Sequence, residues 1–360
     1  MRIGLDATPL LGVRTGVGRY VEHLITALAA GDDPLTATAF TLRGAGSLAA
    51  AVPSNVDVRN RPMPARLLQS LWASIEFPPV ELLAGRVDVF HATNFVLPPL
   101  HRAAGVVTVH DLSYLRYPAT VSAASLRYQT LVPRSIRRAA VVCTPSEAVA
   151  AEVRDEYEPA EVIVTPLGVD ESWFAATRPD SVWLGAHGLP TEYLLFVGTL
   201  EPRKNLPTLL AAYAQLTDPP PLVLVGAPGW GPALDTAGLP RESVITPGYV
   251  DQPTLQRIVA GAAALVMPSV YEGFGLPPLE AFACGTRVVA SDIPVIREVT
   301  GGRARLAPPN DAEALAEALR RTLAQPRDPE FAEALRRHAR QWTWQRCAAA
   351  TRAAYRLAAR

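Results

Sequence analysis

Short apolar runs alternate with helix-period segments along most of this chain, and that rhythm restricts the fold more than any other feature. In the first half the runs fall at 2–6, 36–42, 87–91, 105–109, 141–144 and 162–164. In the second they fall at 193–197, 222–225, 244–246, 263–267, 286–290 and 304–306. Helical patterns lie between most of them, for example at 17–29, 125–138, 206–216 and 312–324. Strand–helix alternation of this kind predicts parallel sheets covered by helices on both faces. A chain of 360 residues is long for one such unit, so two are expected. The rhythm breaks over 166–190, where Gly, Pro, Asp and Trp interrupt it. The expected fold class is α/β: two Rossmann-like, doubly wound parallel-sheet domains facing across a cleft. The expected boundaries are 1–170 for the first domain, 171–190 for a linker and 191–341 for the second. The remaining segment, 342–360, reads as an Ala- and Arg-rich helix expected to pack back on the first domain. In sheets of this type ligands bind outside the carboxyl ends of the strands.

Charge and cysteine content remove several function classes. Lys plus Arg equals Asp plus Glu, 34 against 34, so no long-range attraction to nucleic acid is implied. The cysteines, Cys143, Cys284 and Cys347, are odd in number and far apart, which fits neither a disulfide framework nor a metal cluster. The opening residues read as a first strand and not as a signal peptide, and no run of about 18 apolar residues is present. A cytoplasmic protein is therefore expected.

The segment 268–290, PSVYEGFGLPPLEAFACGTRVVA, carries the chemistry. It holds Glu272 and Glu280 with Gly273, Gly275, Pro277 and Pro278 between them. Prolines inside a helix cost about 3 kcal/mol each and glycines about 1, so the interior cannot be helical throughout. A strand, a tight glycine loop and a helix beginning at the prolines is the predicted shape, because proline suits a first helical turn. Glu272 then lies in the loop and Glu280 in the first or second turn. Free amides at a glycine-rich helix start hold anions, phosphate above all. Carboxylates beside them point to a ligand with hydroxyls next to its phosphates, such as a sugar nucleotide.

Other constellations join this one. The loop after the first strand contains Gly16 and Gly18 just ahead of a helix, where backbone can approach a phosphate. No third glycine follows at the spacing of the dinucleotide fingerprint, and a plain flexible turn explains the pair equally. At 196–205, FVGTLEPRKN, the cations Arg203 and Lys204 follow a strand, with Asn205 as a helix N-cap. Two cations there would grip a diphosphate; a solvated basic loop is the alternative. His110 and Asp111 end a buried strand, and His91 and Asn94 repeat the placement. They could meet a sugar hydroxyl or phosphate, or be structural pairs. No Asp-x-Asp occurs, so no metal site is expected, and a departing diphosphate would rest on Arg, Lys, helix dipoles and amides.

Taken together these residues resemble the retaining glycosyltransferases of the two-Rossmann-domain (GT-B) type, family 4. The likeness covers nearly the whole chain: IGLDATPL…TGVGRY, the His110-Asp111 step, TPSE at 144–147, LGVD at 167–170, VGTLEPRKNL and the Glu272-to-Glu280 signature, E-x7-E. It implies an acceptor-side first domain and a nucleotide-sugar-binding second one. By resemblance, Gly16 and Gly18 approach the donor phosphates, Arg203 and Lys204 bind the diphosphate, and Glu272 holds hydroxyls of the transferred sugar. The amides of Phe274, Gly275 and Leu276 face sugar and phosphate, with Gly273 and Thr199 also on the donor side. Glu280 binds the ribose, Val250 lies against the base, and His110 touches the donor sugar near the reacting carbon. His91, Asn94 and Asp111 are the acceptor-side candidates. Many members carry an arginine directly after the glycine of the VG step, where this chain has Thr199.

The opening most resembles bacterial mannosyltransferases that build surface polysaccharides, which makes GDP-mannose the first donor expectation and UDP-glucose the second. The expected acceptor is a glycan or lipid-linked hydroxyl, with no cofactor, no metal and no nucleic acid. Segment 125–138 combines basic and apolar residues and segment 67–83 is another apolar stretch, with Trp72 and Phe77; either could touch anionic lipid on the cytoplasmic face, or serve as a packing helix. The residues alone also admit a glycosidase using Glu272 and Glu280, a nicotinamide oxidoreductase, and a sugar-nucleotide-binding subunit without turnover.

Overall fold

The computed structural model describes residues 1–12, 16–41, 45–59, 65–231, 234–236, 238–240 and 242–360. Among these, every predicted apolar run forms a strand, and every strand pair is parallel. The first sheet contains β1 (Ile3–Asp6), β2 (Leu35–Thr38), β3 (Asp57–Val58), β4 (Val89–Ala92), β5 (Ala104–Thr108), β6 (Val141–Thr144) and β7 (Val162–Val164). Its order is β3-β2-β1-β4-β5-β6-β7. The second contains β8 (Leu194–Val197), β9 (Leu222–Val225), β10 (Val244–Gly248), β11 (Ala264–Met267), β12 (Val288–Ser291) and β13 (Arg305–Ala307), in the order β10-β9-β8-β11-β12-β13. The sequence pattern missed β3 because this two-residue edge strand includes an exposed aspartate and no apolar run.

Both sheets reverse direction of growth beside their first strand, between β1 and β4 in one and between β8 and β11 in the other. Such switch points leave a crevice at the carboxyl ends of the strands, because the following loops diverge to opposite faces. Fully buried aliphatic strands explain the doubly covered sheets: Leu194, Leu222, Ala264 and Val289 in the second are buried against Leu209, Leu315 and Leu319 from its helices.

The chain divides into two compact units. One comprises Met1–Leu115, Ala123–Gly168 and Trp344–Arg360; the other comprises Arg116–Ser122 and Val169–Thr343. The segment 171–190, expected as a linker, is built into the second unit. A 3-10 turn at Glu171–Trp173 is capped by Asp170, and the helix Ser181–Ala186 is capped by Asp180. Trp173 and Leu184 from this segment are buried. In the first unit the helix Trp344–Ala358 buries Cys347 and Tyr355, and Arg352 donates to the carbonyls of Ala27 and Leu28 at the end of the helix Gly16–Ala29. A cation at that helix terminus satisfies carbonyls that lack intrahelical partners.

Candidate active site

β8 and β11 lie side by side although their residues are far apart in sequence, with Ala264 opposite Leu194 and Leu265 opposite Leu195. The loops that leave their carboxyl ends therefore meet. After β8 the chain makes a 3-10 turn at Pro202–Lys204 and enters the helix Leu206–Tyr213. The carbonyl of Arg203 accepts from the amide of Val270 at 3.0 Å, which joins the two loops through main chain.

The side chains form a compact ionic cluster. Lys204 Nζ donates to Glu272 Oε1 at 2.6 Å, and Arg203 Nη1 donates to Glu272 Oε2 at 2.9 Å. Arg203 also donates to the Tyr271 carbonyl at 2.7 Å and to Glu201 Oε1 at 2.6 Å. Glu272 is 8% exposed. Burial alone would raise its pKa; the charges of Lys204 and Arg203 outweigh burial and lower it from 4.5 to about 2. A carboxyl held ionised in this way cannot donate a proton near neutral pH, which removes Glu272 as the acid of a glycosidase.

Asn205 stands where a helix N-cap was expected but does not cap. It has a left-handed backbone, φ 56°, and no side-chain cap bond. Its side-chain Nδ2 instead donates to the Pro268 carbonyl and to Asn310 Oδ1, each at 3.1 Å, while Thr208 Oγ1 donates to Asn205 Oδ1 at 2.9 Å. The residue thus ties the loop after β8 to the end of β11. Pattern reading also passed over Glu201 and Asn310. Glu201 was visible two residues ahead of Arg203; Asn310 carries no local signal because it arrives from beyond β13.

The glycine loop has the predicted form. Gly275 adopts φ 96° at the N-cap of the helix Leu276–Ala283, with prolines in the first turn. The positive φ demands glycine, and a Cβ at Gly275 would come within 2.9 Å of Ile296 Cδ1, so the tip of that side chain would have to shift. Pro277 and Pro278 have no N–H, which leaves the amides of Phe274, Gly275 and Leu276 as the group nearest the helix start that can face an anion. Glu280 is 4% exposed in the second turn of this helix. Gly273 and Thr199 are half-buried in their loops, and Val250 follows β10, the edge strand of the same sheet.

In the first unit Gly16 opens the helix Gly16–Ala29 and Gly18 is buried within it. A Cβ at Gly16 would meet nothing within 4 Å among the described residues, so none of them requires glycine there. Thr15, read with them as part of the loop, lies outside the described residues. His110 Nε2 is 2.9 Å from the Thr93 carbonyl, which can only accept, so Nε2 carries the proton and Nδ1 is the acceptor. Burial lowers its pKa, keeping the ring neutral. Asp111 does not pair with it by hydrogen bond; its Oδ1 accepts from the Ser113 amide and hydroxyl at 2.9 and 2.6 Å. Asn94 is half-buried near Tyr128, whose phenol pKa is raised chiefly by burial and also by the charges of Asp111 and Asp6. Asp6, pushed up to about 6 by burial, and Tyr128 are further polar groups of this strand-end cluster that sequence reading did not single out.

His91 is a correction. It was expected near an acceptor, but it is 0% exposed, with Nδ1 2.7 Å from Tyr355 Oη and Nε2 2.7 Å from Thr108 Oγ1. Both ring nitrogens are engaged inside the unit, where they tie the helix Trp344–Ala358 to the sheet. Burial, with His110 nearby, lowers its pKa to about 3.

Comparison with known proteins gives this geometry a context. The family Glycosyl transferases group 1 matches residues 185–342, and Glycosyltransferase Family 4 matches residues 14–173. An O-antigen chain mannosyltransferase B of Escherichia coli is 33% identical over 291 residues, covering 75% of this chain and 74% of the relative. A glycogen synthase of Mycobacterium tuberculosis is 31% identical over 390 aligned residues, covering 96% of this chain and 92% of the relative. Among solved structures, sucrose-phosphate synthase from Thermosynechococcus elongatus superposes with a TM-score of 0.74 at 24% identity, over 99% of this chain and 98% of that one.

Proposed function

The chain belongs to the GT-B glycosyltransferases of family 4, and on that premise we propose that it moves a hexose, mannose from GDP-mannose, to a glycan or lipid-linked hydroxyl with retention of anomeric configuration. The observation that carries this reading is the buried Lys204–Glu272–Arg203–Glu201 cluster beside the amides of Phe274, Gly275 and Leu276, at the switch point of the second sheet. The mannose assignment leans on the Escherichia coli relative. The Mycobacterium tuberculosis relative, matched over more of the chain, favours glucose as the second reading.

In this mechanism the bond between the anomeric carbon and the diphosphate oxygen breaks first. The acceptor hydroxyl attacks the same face, and its proton passes to the departing phosphate oxygen. Charge grows on the diphosphate, so groups aimed there lower the barrier. Lys204 is the cation best suited to meet that charge, because its ammonium has three N–H groups and Glu272 takes one. Arg203 is held by two carboxylates and a carbonyl and acts chiefly by fixing Glu272 in place. Each Glu272 oxygen keeps a second lone pair after pairing, which is what holding sugar hydroxyls requires. Glu280 takes the ribose and Val250 the base. Gly16, whose lack of a side chain answers no contact among the described residues, leaves room for donor phosphate. His110, with an accepting Nδ1, touches the donor sugar; Asn94 and Asp111 remain on the acceptor side. No metal or cofactor takes part.

Contact with an anionic membrane surface is part of the proposal. Leu67, Ile75, Phe77 and Leu82 are each more than half exposed, and Arg134, Arg137 and Arg138 all act on Glu76 between two of them. Incubation with GDP-mannose, UDP-glucose and a lipid-linked glycan, followed by NMR of the new linkage, tests the function. An inverted anomeric centre, or release of free sugar as the sole product, would overturn it.

A further inference from the structure

At the other end of the second sheet, three arginines line a cavity of about 740 Å3. Arg287 immediately precedes β12, Arg303 lies just ahead of β13, and Arg305 begins it. These are the amino ends of strands that run parallel to β11, whose carboxyl end leads to Glu272. A four-residue strand spans roughly 13 Å, so the cavity is separate from the Lys204–Glu272 cluster.

The partners of the three guanidiniums are all uncharged. Arg287 Nη1 donates to the carbonyls of Thr322 and Gln325 at 2.7 and 2.8 Å, and its Nη2 donates to Pro326. Arg305 donates to Thr322 Oγ1 at 3.2 Å and to Gln325 Oε1 at 3.4 Å; Arg303 donates to the Gly301 carbonyl at 2.9 Å. Asp328 is the one carboxylate among the lining residues, and its Oδ1 accepts from the Glu330 amide to cap the helix Pro329–Ala339. Cationic crowding extends beyond the cavity wall. Burial lowers the Arg327 pKa, and repulsion from Arg178 and Arg287 lowers it further against a weaker pull from Glu192. His338 is likewise lowered by burial and by Arg303.

Arg287 has a structural duty, since it closes the carboxyl end of the helix Ala312–Leu323. Arg303 and Arg305 do not share it fully. A guanidinium has five N–H groups, and these two make one and two protein bonds, which leaves donors for a ligand. Phe331, 39% exposed, lines the same cavity with an apolar ring face. The volume falls within the range of small-ligand sites, about 300–1,000 Å3.

We propose that this cavity is a second, non-catalytic binding site for a small phosphorylated ring compound, with its phosphate on Arg303 and Arg305 and its ring against Phe331. A sugar phosphate and a nucleoside monophosphate share that chemistry. Arg–phosphate bonding fixes the position of the anion, and Phe331 favours a ring-bearing ligand over the bare ion.

Titration calorimetry with glucose 1-phosphate, AMP and inorganic phosphate distinguishes the sources. The Lys204→Ala protein serves as host, so that binding at the donor site does not mask the second one. One of the two ring compounds is expected to bind this host, and to bind at least tenfold more weakly when Arg303→Gln and Arg305→Gln are added. Phe331→Ala should weaken that compound several-fold while leaving inorganic phosphate unchanged. Arg303→Gln alone, at an exposed side chain with one carbonyl bond, keeps the test available should the double substitution unfold. Absence of binding by all three probes, or equal affinity with and without Arg303, overturns the proposal.

Discussion

Replacing Glu272 by Gln should cost the second unit about 3 kcal/mol at pH 7, and the cost should shrink as the pH falls. The magnitude comes from the ionic cluster. The carboxyl has a pKa of about 2 in the folded protein against 4.5 as a free group. Each unit of pKa difference is worth about 1.4 kcal/mol, so the shift corresponds to roughly 3 kcal/mol. The folded pKa is depressed, so this stabilisation is fully present above pH 4.5 and is lost as pH falls through the folded value. It should be about 1 kcal/mol near pH 3 and close to nothing below pH 2. Gln resembles the protonated carboxyl in shape and cannot show this dependence. Scanning calorimetry of both proteins at pH 7 and pH 3 reads the difference directly. At about 2–4 °C per kcal/mol for a unit of this size, the pH 7 gap should be about 6–12 °C. Equal gaps at the two pH values, or none at pH 7, would show that Lys204 and Arg203 do not hold the carboxyl ionised.

Three further outcomes are expected. Lys204→Ala should lower kcat/KM for transfer by about 100-fold or more, as expected when a group facing developing charge is lost, with circular dichroism unchanged. Gly275→Val places a β-branched residue at φ 96° and a Cβ 2.9 Å from Ile296 Cδ1; donor affinity measured by calorimetry should fall at least tenfold, with a stability loss of about 1–3 kcal/mol. His91→Leu should strand the buried hydroxyl of Tyr355, at a cost of about 1–3 kcal/mol in urea unfolding, while Thr108 Oγ1 keeps its bond to Tyr20 Oη at 3.0 Å. Its kcat should stay within about twofold of wild type, because the ring touches no exposed surface; a large loss of turnover at full stability would restore His91 to the acceptor side.

Local physics made much of this molecule legible. β6 and β9 begin and end where their apolar runs do, because a strand covered on both faces has no polar position to blur its edges. The loop–helix form of 268–290 was equally readable, since Gly275 and the paired prolines forbid a continuous helix. Reading failed where a polar side chain had a choice of partners. Asn205 has the composition of a cap and the position of one, yet bonds to Pro268 and Asn310. His91 occupies the strand-end position of a working residue, yet Tyr355 arrives from the far end of the chain to engage it.

Sequence alone determined which segments are strands, that they lie in doubly covered parallel sheets, and where an anion-facing helix start must form. Those properties depend on φ preference and on the period of apolar residues, both of which are local. Tertiary structure decided that β8 is seated beside β11, and hence that Lys204 meets Glu272. It also decided that Arg203 is shared between two carboxylates, and that the arginines ahead of β12 and β13 converge on one cavity. Strand order within a sheet is a long-range choice among similar apolar partners, and the ionic contacts follow from that choice.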